Sequence, residues 1–149
     1  MIKHEELCNL IPHSFDMCLL DHVESWDEDS IVCYSNSHLL EANPLYRENS
    51  LSSIHLIEYA AQAMAVHGGL HDRAQGLQMT SGYLAALRNV TIHLCELNKL
   101  QNILCIEATK VLSQGGNMIY NFSVSTEDNK LISGRATVIA ASHNKEDIK

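Results

Sequence analysis

The chain has 149 residues, of which 46% are hydrophobic and 19% are charged, and this suits one globular domain with a sizeable core. Ten basic residues against eighteen acidic ones give a net charge of −8. This balance argues against nucleic acid as a partner, because phosphates are bound by lysine and arginine. The sequence has no run of about 18 apolar residues, so we expect no transmembrane helix.

The N-terminal segment and the cysteines indicate the compartment. The first residues lack the apolar core and the small-residue cleavage site of a signal peptide. The five cysteines are scattered, and none of them forms a Cys-x-x-Cys pair. We therefore expect a cytoplasmic protein whose cysteines are reduced and lie mostly in the core.

The first half of the chain predicts two strands followed by a loop and a helix. Residues 16–26 and 30–38 are extended candidates on either side of an Asp-Glu-Asp turn. The polar residues 41–50 form a loop, and an apolar helix follows over about residues 52–71. Ser52 or Ser53 is the expected N-cap, and the Gly68-Gly69 pair is expected to weaken or end the helix.

The second half of the chain predicts strands alone. Two turns, at residues 115–117 and 127–129, separate the last three of them in hairpin order. The predicted strands span residues 78–93, 103–112, 118–125 and 131–141, and a polar tail begins at about residue 142. This order predicts a single α+β domain over residues 1–149, with one long central helix wrapped by a curved antiparallel sheet of about six strands.

Three segments resemble a known family. They are LIPHSFDMCLLDHV at residues 10–23, IEYAAQAMA at residues 57–65 and GYLAALRNVTIH at residues 82–93. In this order they resemble the hotdog-fold 3-hydroxyacyl-[acyl-carrier-protein] dehydratases, and they are similar in particular to the branch found in aryl-polyene pigment clusters. The resemblance implies that the chain adopts the hotdog fold and dehydrates 3-hydroxyacyl thioesters to trans-2-enoyl thioesters.

The resemblance also implies the partners. Hotdog proteins pair edge to edge as dimers, and their pockets lie at the subunit interface. The expected partners are therefore an acyl carrier protein and a second hotdog subunit, either identical or different. The substrate is carried on phosphopantetheine, and no other cofactor and no metal is expected.

Glu58 is the expected catalytic acid. It is a carboxylate within the most apolar helix of the chain, where an unpaired charge is costly unless it is paired or protonated. In the family this glutamate protonates the leaving hydroxyl, and a glutamine four residues later holds it by a hydrogen bond. Gln62 occupies that position and shares a helix face with Glu58. The alternative is a structural glutamate paired with an arginine at an interface.

The general base is less evident, because the family's His-Phe-Pro-Gly segment is absent. Pro44 stands fourteen residues before Glu58, where the family has its catalytic histidine. His38 matches a Ser-His of the aryl-polyene branch and is the first candidate for the base. His55 precedes Glu58 by three residues and is the second, whereas His13 resembles a structural histidine of the family's opening motif.

Two further interpretations remain open. The chain could be a non-catalytic partner that stabilises a second hotdog subunit, or a thioesterase in which the helix glutamate activates water. His67 and His71 have the i, i+4 spacing of metal ligands, but two glycines separate them and no glutamate accompanies them as in HExxH sites. We expect these two histidines to lie at a solvated helix end.

Overall fold

The fold is an antiparallel sheet with one long helix packed against it. The structure is a computed structural model that describes residues 1–11, 17–77, 82–127 and 129–140. Two helices, α1 and α2, and seven strands, β1 to β7, follow in the order β1 Ile2–Lys3, α1 His4–Cys8, β2 His22–Trp26, β3 Ser30–Ser35, α2 Leu56–Ala74, β4 Gly82–Ile92, β5 Leu104–Gln114, β6 Asn117–Ser125 and β7 Lys130–Ala140. The strand order in the sheet is β1-β2-β3-β5-β6-β7-β4.

The central helix begins and packs as its sequence dictates. The Ser52 hydroxyl accepts a hydrogen bond from the backbone N–H of Ile54 and caps the short 3₁₀ turn Ser53–His55 that leads into α2. A buried stripe recurs at the helical spacing of four, three and four residues: Tyr59, Ala63, Val66 and Leu70. Through this face α2 contacts β3, β5 and β6, the middle of the sheet.

The helix continues through its glycine pair and ends three residues beyond the predicted end at about residue 71. It continues to Ala74, and a left-handed glycine, Gly76 at φ 71°, follows shortly after its end. A glycine inside a helix costs about 1 kcal/mol relative to alanine. Burying Val66 and Leu70 contributes more than this, because a large apolar side chain stabilises by about 1.5–3 kcal/mol.

The predicted α+β class is confirmed, with differences at the N-terminal end. The first predicted strand is present only as β2, and the second ends at Ser35 and passes into a 3₁₀ turn, Ser37–Leu39. The short elements β1 and α1 were not expected, since two and five residues are too few to show a periodic pattern. The polar tail lies outside the described residues, and none of the described helices is long and apolar enough to span a membrane.

The prediction of reduced cysteines is wrong for one pair. Cys8 at the end of α1 and Cys18 form a disulfide, and their Cα atoms are 5.8 Å apart. The bond joins two cysteines ten positions apart in the sequence. Cys33 is a buried free thiol, as expected, and Cys95 and Cys105 are half-buried and free.

Candidate functional site

A cavity of about 370 Å³ lies between α2 and the far end of the sheet. The helix packs on the middle strands, whereas the sheet continues through β7 to β4, and the space beneath these last strands remains open. The helix face that lines the cavity carries small residues at positions 61, 65 and 68, namely Ala61, Ala65 and Gly68. Leu84, Met118 and Val138 line the cavity from the sheet side. These surfaces form a largely apolar space between helix and sheet.

Glu58 lies in the first turn of α2 and lines this cavity. Its side chain is half-buried. No hydrogen bond or ion pair holds its carboxylate within the part of the chain that the structure describes. The carboxyl group is thus available to a molecule that enters the cavity.

Gln62 does not hold Glu58, contrary to the expectation from the family. Its Oε1 accepts a hydrogen bond of 2.8 Å from Leu19 N–H, and its Nε2 donates one of 2.6 Å to the carbonyl oxygen of Met17. The backbone of residues 17–19 lies against this face of the helix, and its polar groups take both ends of the amide. Gln62, only 2% exposed, therefore anchors that segment.

His38 lies in the 3₁₀ turn after β3 and is fully buried. Its Nε2 is 2.9 Å from the carbonyl oxygen of Leu100. Because a carbonyl oxygen only accepts hydrogen bonds, Nε2 carries the proton and Nδ1 carries the lone pair. Nδ1 has no hydrogen-bond partner among the described residues. Burial lowers the pKa of His38 and outweighs the carbonyl of Leu100, which raises it.

A buried polar network fixes the turn that carries His38. Ser37 donates a hydrogen bond of 2.7 Å to the carbonyl oxygen of Leu19 and lies 2.8 Å from the Tyr59 hydroxyl. Asn43 donates to the same Tyr59 hydroxyl and to the Ser37 carbonyl oxygen. The network joins the turn to α2 and to the segment anchored by Gln62.

The structure does not bring the other candidates to Glu58. His38 does not line the cavity that contains Glu58. His55 is half-buried at the end of the turn before α2, and it too is outside the cavity lining. Within the described residues no hydrogen bond or ion pair joins His55 to Glu58. His13 lies outside the described residues.

His67 is a cavity residue whose environment sequence reasoning missed. It is fully buried, so the expected solvated helix end is wrong for this residue. Its Nδ1 lies 2.7 Å from the Tyr120 hydroxyl and its Nε2 lies 2.8 Å from the carbonyl oxygen of Asp27. Burial lowers the pKa of His67 and raises that of Tyr120. The only signal in the sequence was the position of His67 beside the buried stripe of α2.

The last turns of α2 add a polar end to the cavity. His71 and Asp72 are half-buried and line it, about 20 Å along the helix from Glu58 at a rise of 1.5 Å per residue. Lys110 of β5 lines it as well. Within the described residues, no three ligands including His67 or His71 come close enough to hold a metal ion.

Comparison with known proteins gives a family and a fold. The model of the ApeP-like family, described as ApeP dehydratase, matches residues 5–149. None of the curated protein sequences matches the chain significantly. Among solved structures, a chain of the dehydratase heterocomplex ApeI:P from Xenorhabdus doucetiae is similar with a TM-score of 0.84 and 19% identity, covering 95% of both chains.

Other similar structures carry different descriptions. A thioesterase from Haemophilus influenzae has a TM-score of 0.61 and 12% identity, with coverage of 95% of this chain and 92% of that one. The E. coli PaaI protein from the phenylacetic acid degradation operon has a TM-score of 0.60 and 14% identity, with coverage of 91% and 88%. At such identities these matches establish the shared hotdog fold.

Proposed function

Because this chain belongs to the ApeP-like dehydratase family, we propose that it dehydrates 3-hydroxyacyl thioesters carried on the phosphopantetheine arm of an acyl carrier protein in the cytoplasm. The products are trans-2-enoyl thioesters, as in fatty-acid or aryl-polyene biosynthesis. The observation that carries the proposal is the Glu58 carboxyl, which faces an apolar cavity and has no bonding partner within the described chain.

The reaction needs a base that removes a proton and an acid that protonates the leaving hydroxyl. A base takes the proton from the carbon next to the thioester carbonyl, whose acidity the carbonyl increases. Electrons of that C–H bond form the double bond, and the bond to the β-hydroxyl breaks. Glu58 donates its proton to this hydroxyl, which leaves as water. No metal or redox cofactor enters this scheme.

His38 has the properties of the base. The Leu100 carbonyl fixes its tautomer, so the lone pair is on Nδ1. Burial lowers its pKa, which keeps the ring neutral and able to accept a proton near neutral pH. The unpartnered Nδ1 is the atom that would receive it.

Pairing of two subunits would explain why His38 of the same chain lies outside the cavity that contains Glu58. Strand β4 is 11 residues long and pairs only with β7 among the described strands, so its outer edge offers backbone hydrogen bonds to another sheet. A second hotdog subunit paired there would set its own residues against the cavity that holds Glu58. One relative is itself described as a heterocomplex, which supports a different subunit as this partner.

The net charge supports the same conclusion. Acyl carrier proteins are acidic, and a chain of charge −8 repels them unless a partner contributes a basic surface. We expect the chain alone to be a weak dehydratase and the mixed complex to be more active by about 10²–10⁴-fold, the usual contribution of a general base.

The test compares the chain alone with a co-purified mixed complex on one 3-hydroxyacyl carrier-protein substrate, with the enoyl product measured by its ultraviolet absorbance. Glu58→Gln should abolish turnover in both, whereas Glu96→Gln at an exposed position should have no effect. Wild-type turnover in the Glu58→Gln variant would refute the acid assignment. His38→Ala tells which chain supplies the base: full activity of the chain alone, lost in this variant, would assign it to His38.

A thioesterase is the second candidate, because similar structures include thioesterases. The same assay separates the two reactions, since hydrolysis releases a free thiol and dehydration does not. Thiol release without enoyl product would establish the thioesterase.

A further inference from the structure

The cavity has a cationic end that the reaction proposed for Glu58 does not use. Lys110 is the single lysine or arginine among the cavity-lining residues that the structure describes. It lies half-buried on β5, directly opposite Tyr120 of β6, and both residues line the cavity. Within the described residues, neither a hydrogen bond nor an ion pair engages its ammonium group. Because a charge withdrawn from water is usually paired, this unpaired cation indicates an anionic ligand.

His71 adds a second donor at the same end. It is half-buried, lines the cavity and follows His67 by one helical turn. Burial is the largest cause of the lowered pKa of His67, and the charges of Lys110 and His71 lower it further, so both groups lie near this ring. Asp72 lines this end too, but in the described part of the chain no ion pair joins it to Lys110.

We propose that the cavity binds a medium-chain fatty carboxylate, with its head group at Lys110 and His71 and its alkyl chain along the apolar wall. A carboxylate accepts charge-assisted hydrogen bonds from an ammonium group and from an imidazole N–H. The small residues of the helix face, such as Ala65 and Gly68, leave room for the chain. The cavity of about 370 Å³ lies at the small end of the usual range for ligand pockets, about 300–1,000 Å³, which suits a chain of medium length.

The charges at the two ends of the cavity determine the orientation of this ligand. Glu58 lines the opposite end, about 20 Å along α2 from His71. A carboxylate beside Glu58 would meet a like charge, whereas at Lys110 it meets an opposite one. The alkyl chain therefore extends towards Glu58. Binding in this orientation does not depend on the reaction proposed for Glu58.

The test is equilibrium binding of decanoate to the full chain near neutral pH, measured by calorimetry at ligand concentrations below those at which micelles form. Decanol is the matched ligand, because it has the same chain and no charge. The wild type should bind decanoate about 10-fold more tightly than decanol, the scale of a hydrogen bond to a charged group.

Two lysine variants assign the head-group site. Lys110→Met keeps the apolar stem and removes the charge, so it should weaken decanoate about 10-fold and leave decanol binding unchanged. Lys130→Met is the matched control, because Lys130 is exposed on β7 outside the cavity lining, and it should bind both ligands like the wild type. The proposal is overturned if the wild type binds decanoate no more tightly than decanol, or if the two variants bind decanoate equally.

Gly68→Leu tests the location of the alkyl chain. No atom lies within 4 Å of a Cβ added at Gly68, and leucine is a good helix former, so the variant can fold with its side chain in the cavity. Circular dichroism and thermal unfolding establish that it is folded. It should then lose binding of both decanoate and decanol. Wild-type affinity for both ligands in the folded variant would overturn the assignment of this cavity.

Discussion

Replacing Gln62 by methionine should destabilise the protein by about 2–4 kcal/mol. Methionine has a similar shape, but it can neither accept from Leu19 N–H nor donate to the Met17 carbonyl. Leu19 is 1% exposed, so its N–H would remain buried without its bond to Gln62, at a cost of about 1–3 kcal/mol. Met17 is half-buried and its carbonyl can be hydrated, so that loss is nearer 0.5–1.5 kcal/mol.

Chemical and thermal unfolding test this value. In a chain of this length 1 kcal/mol shifts Tm by about 2–4 °C, so Gln62→Met should lower Tm by about 5–15 °C. Gln75→Met is the matched control, because Gln75 is exposed beyond the end of α2, and it should change stability by less than about 0.5 kcal/mol.

A second variant isolates the hydrogen bonds from packing. In Gln62→Glu the ionised carboxylate can accept from Leu19 N–H but opposes the Met17 carbonyl oxygen, whereas the protonated acid can serve both groups. Its destabilisation should therefore shrink as pH falls. Equal stability of Gln62→Met and wild type, or a pH-independent deficit in Gln62→Glu, would refute the role assigned to this amide.

Three further outcomes follow from the described contacts. Since burial holds the pKa of His67 below its ordinary 6.5, the unfolded chain takes up a proton below that pH before the folded chain does, and stability should fall with decreasing pH by up to about 1.4 kcal/mol per unit. Denaturant unfolding between pH 7.5 and 5.5 gives the free energy of unfolding at each pH. This free energy should depend less steeply on pH in His67→Gln than in the wild type, and an equal dependence would contradict the prediction. Gly68→Ala should stabilise by about 0.5–1 kcal/mol in thermal unfolding, because no atom lies within 4 Å of the added methyl group; a loss of stability would show that the helix face is not open. Tyr59→Phe should lower the free energy of unfolding by about 1–2 kcal/mol, because two hydrogen bonds are lost. Tyr83→Phe, at an exposed position, should change it by nothing measurable. Equal unfolding curves for the two variants would show that the network does not stabilise the fold.

The sequence predicted those features that depend on local periodicity. Two such features are the buried stripe of α2, with Tyr59, Val66 and Leu70, and the glycine turn before β6. Each is a pattern within a short stretch of sequence. Together they determine the helix, the hairpins and the class of fold. The predicted helix end at about residue 71 falls three residues short of Ala74, because the packing of the flanking residues outweighs the low helix propensity of the glycine pair.

The contacts that define the candidate site are not local, and this is why the sequence could not show them. Gln62 bonds a backbone group 43 positions away, and His38 bonds a carbonyl 62 positions away. The family resemblance supplied residue types at matching positions, but the partner of Gln62 differs from the one that the resemblance implied. A residue can retain its place in a motif while the loop opposite it changes the bonds that it makes.

The position of the cavity supports the proposal that Glu58 acts as an acid whose base comes from a second subunit. The helix covers only the middle of the sheet, so β7 and β4 extend beyond it and Glu58 faces the space beneath them. Tyr83 of β4 is 57% exposed although it lines that space, which shows that the wall is open at the free edge of the sheet. A subunit that pairs with β4 would close this wall and bring its own loop towards Glu58. This arrangement predicts that activity depends on edge pairing: a proline within β4 at an outward-facing backbone N–H should abolish the complex and its turnover together, while α2 and its cavity face remain folded.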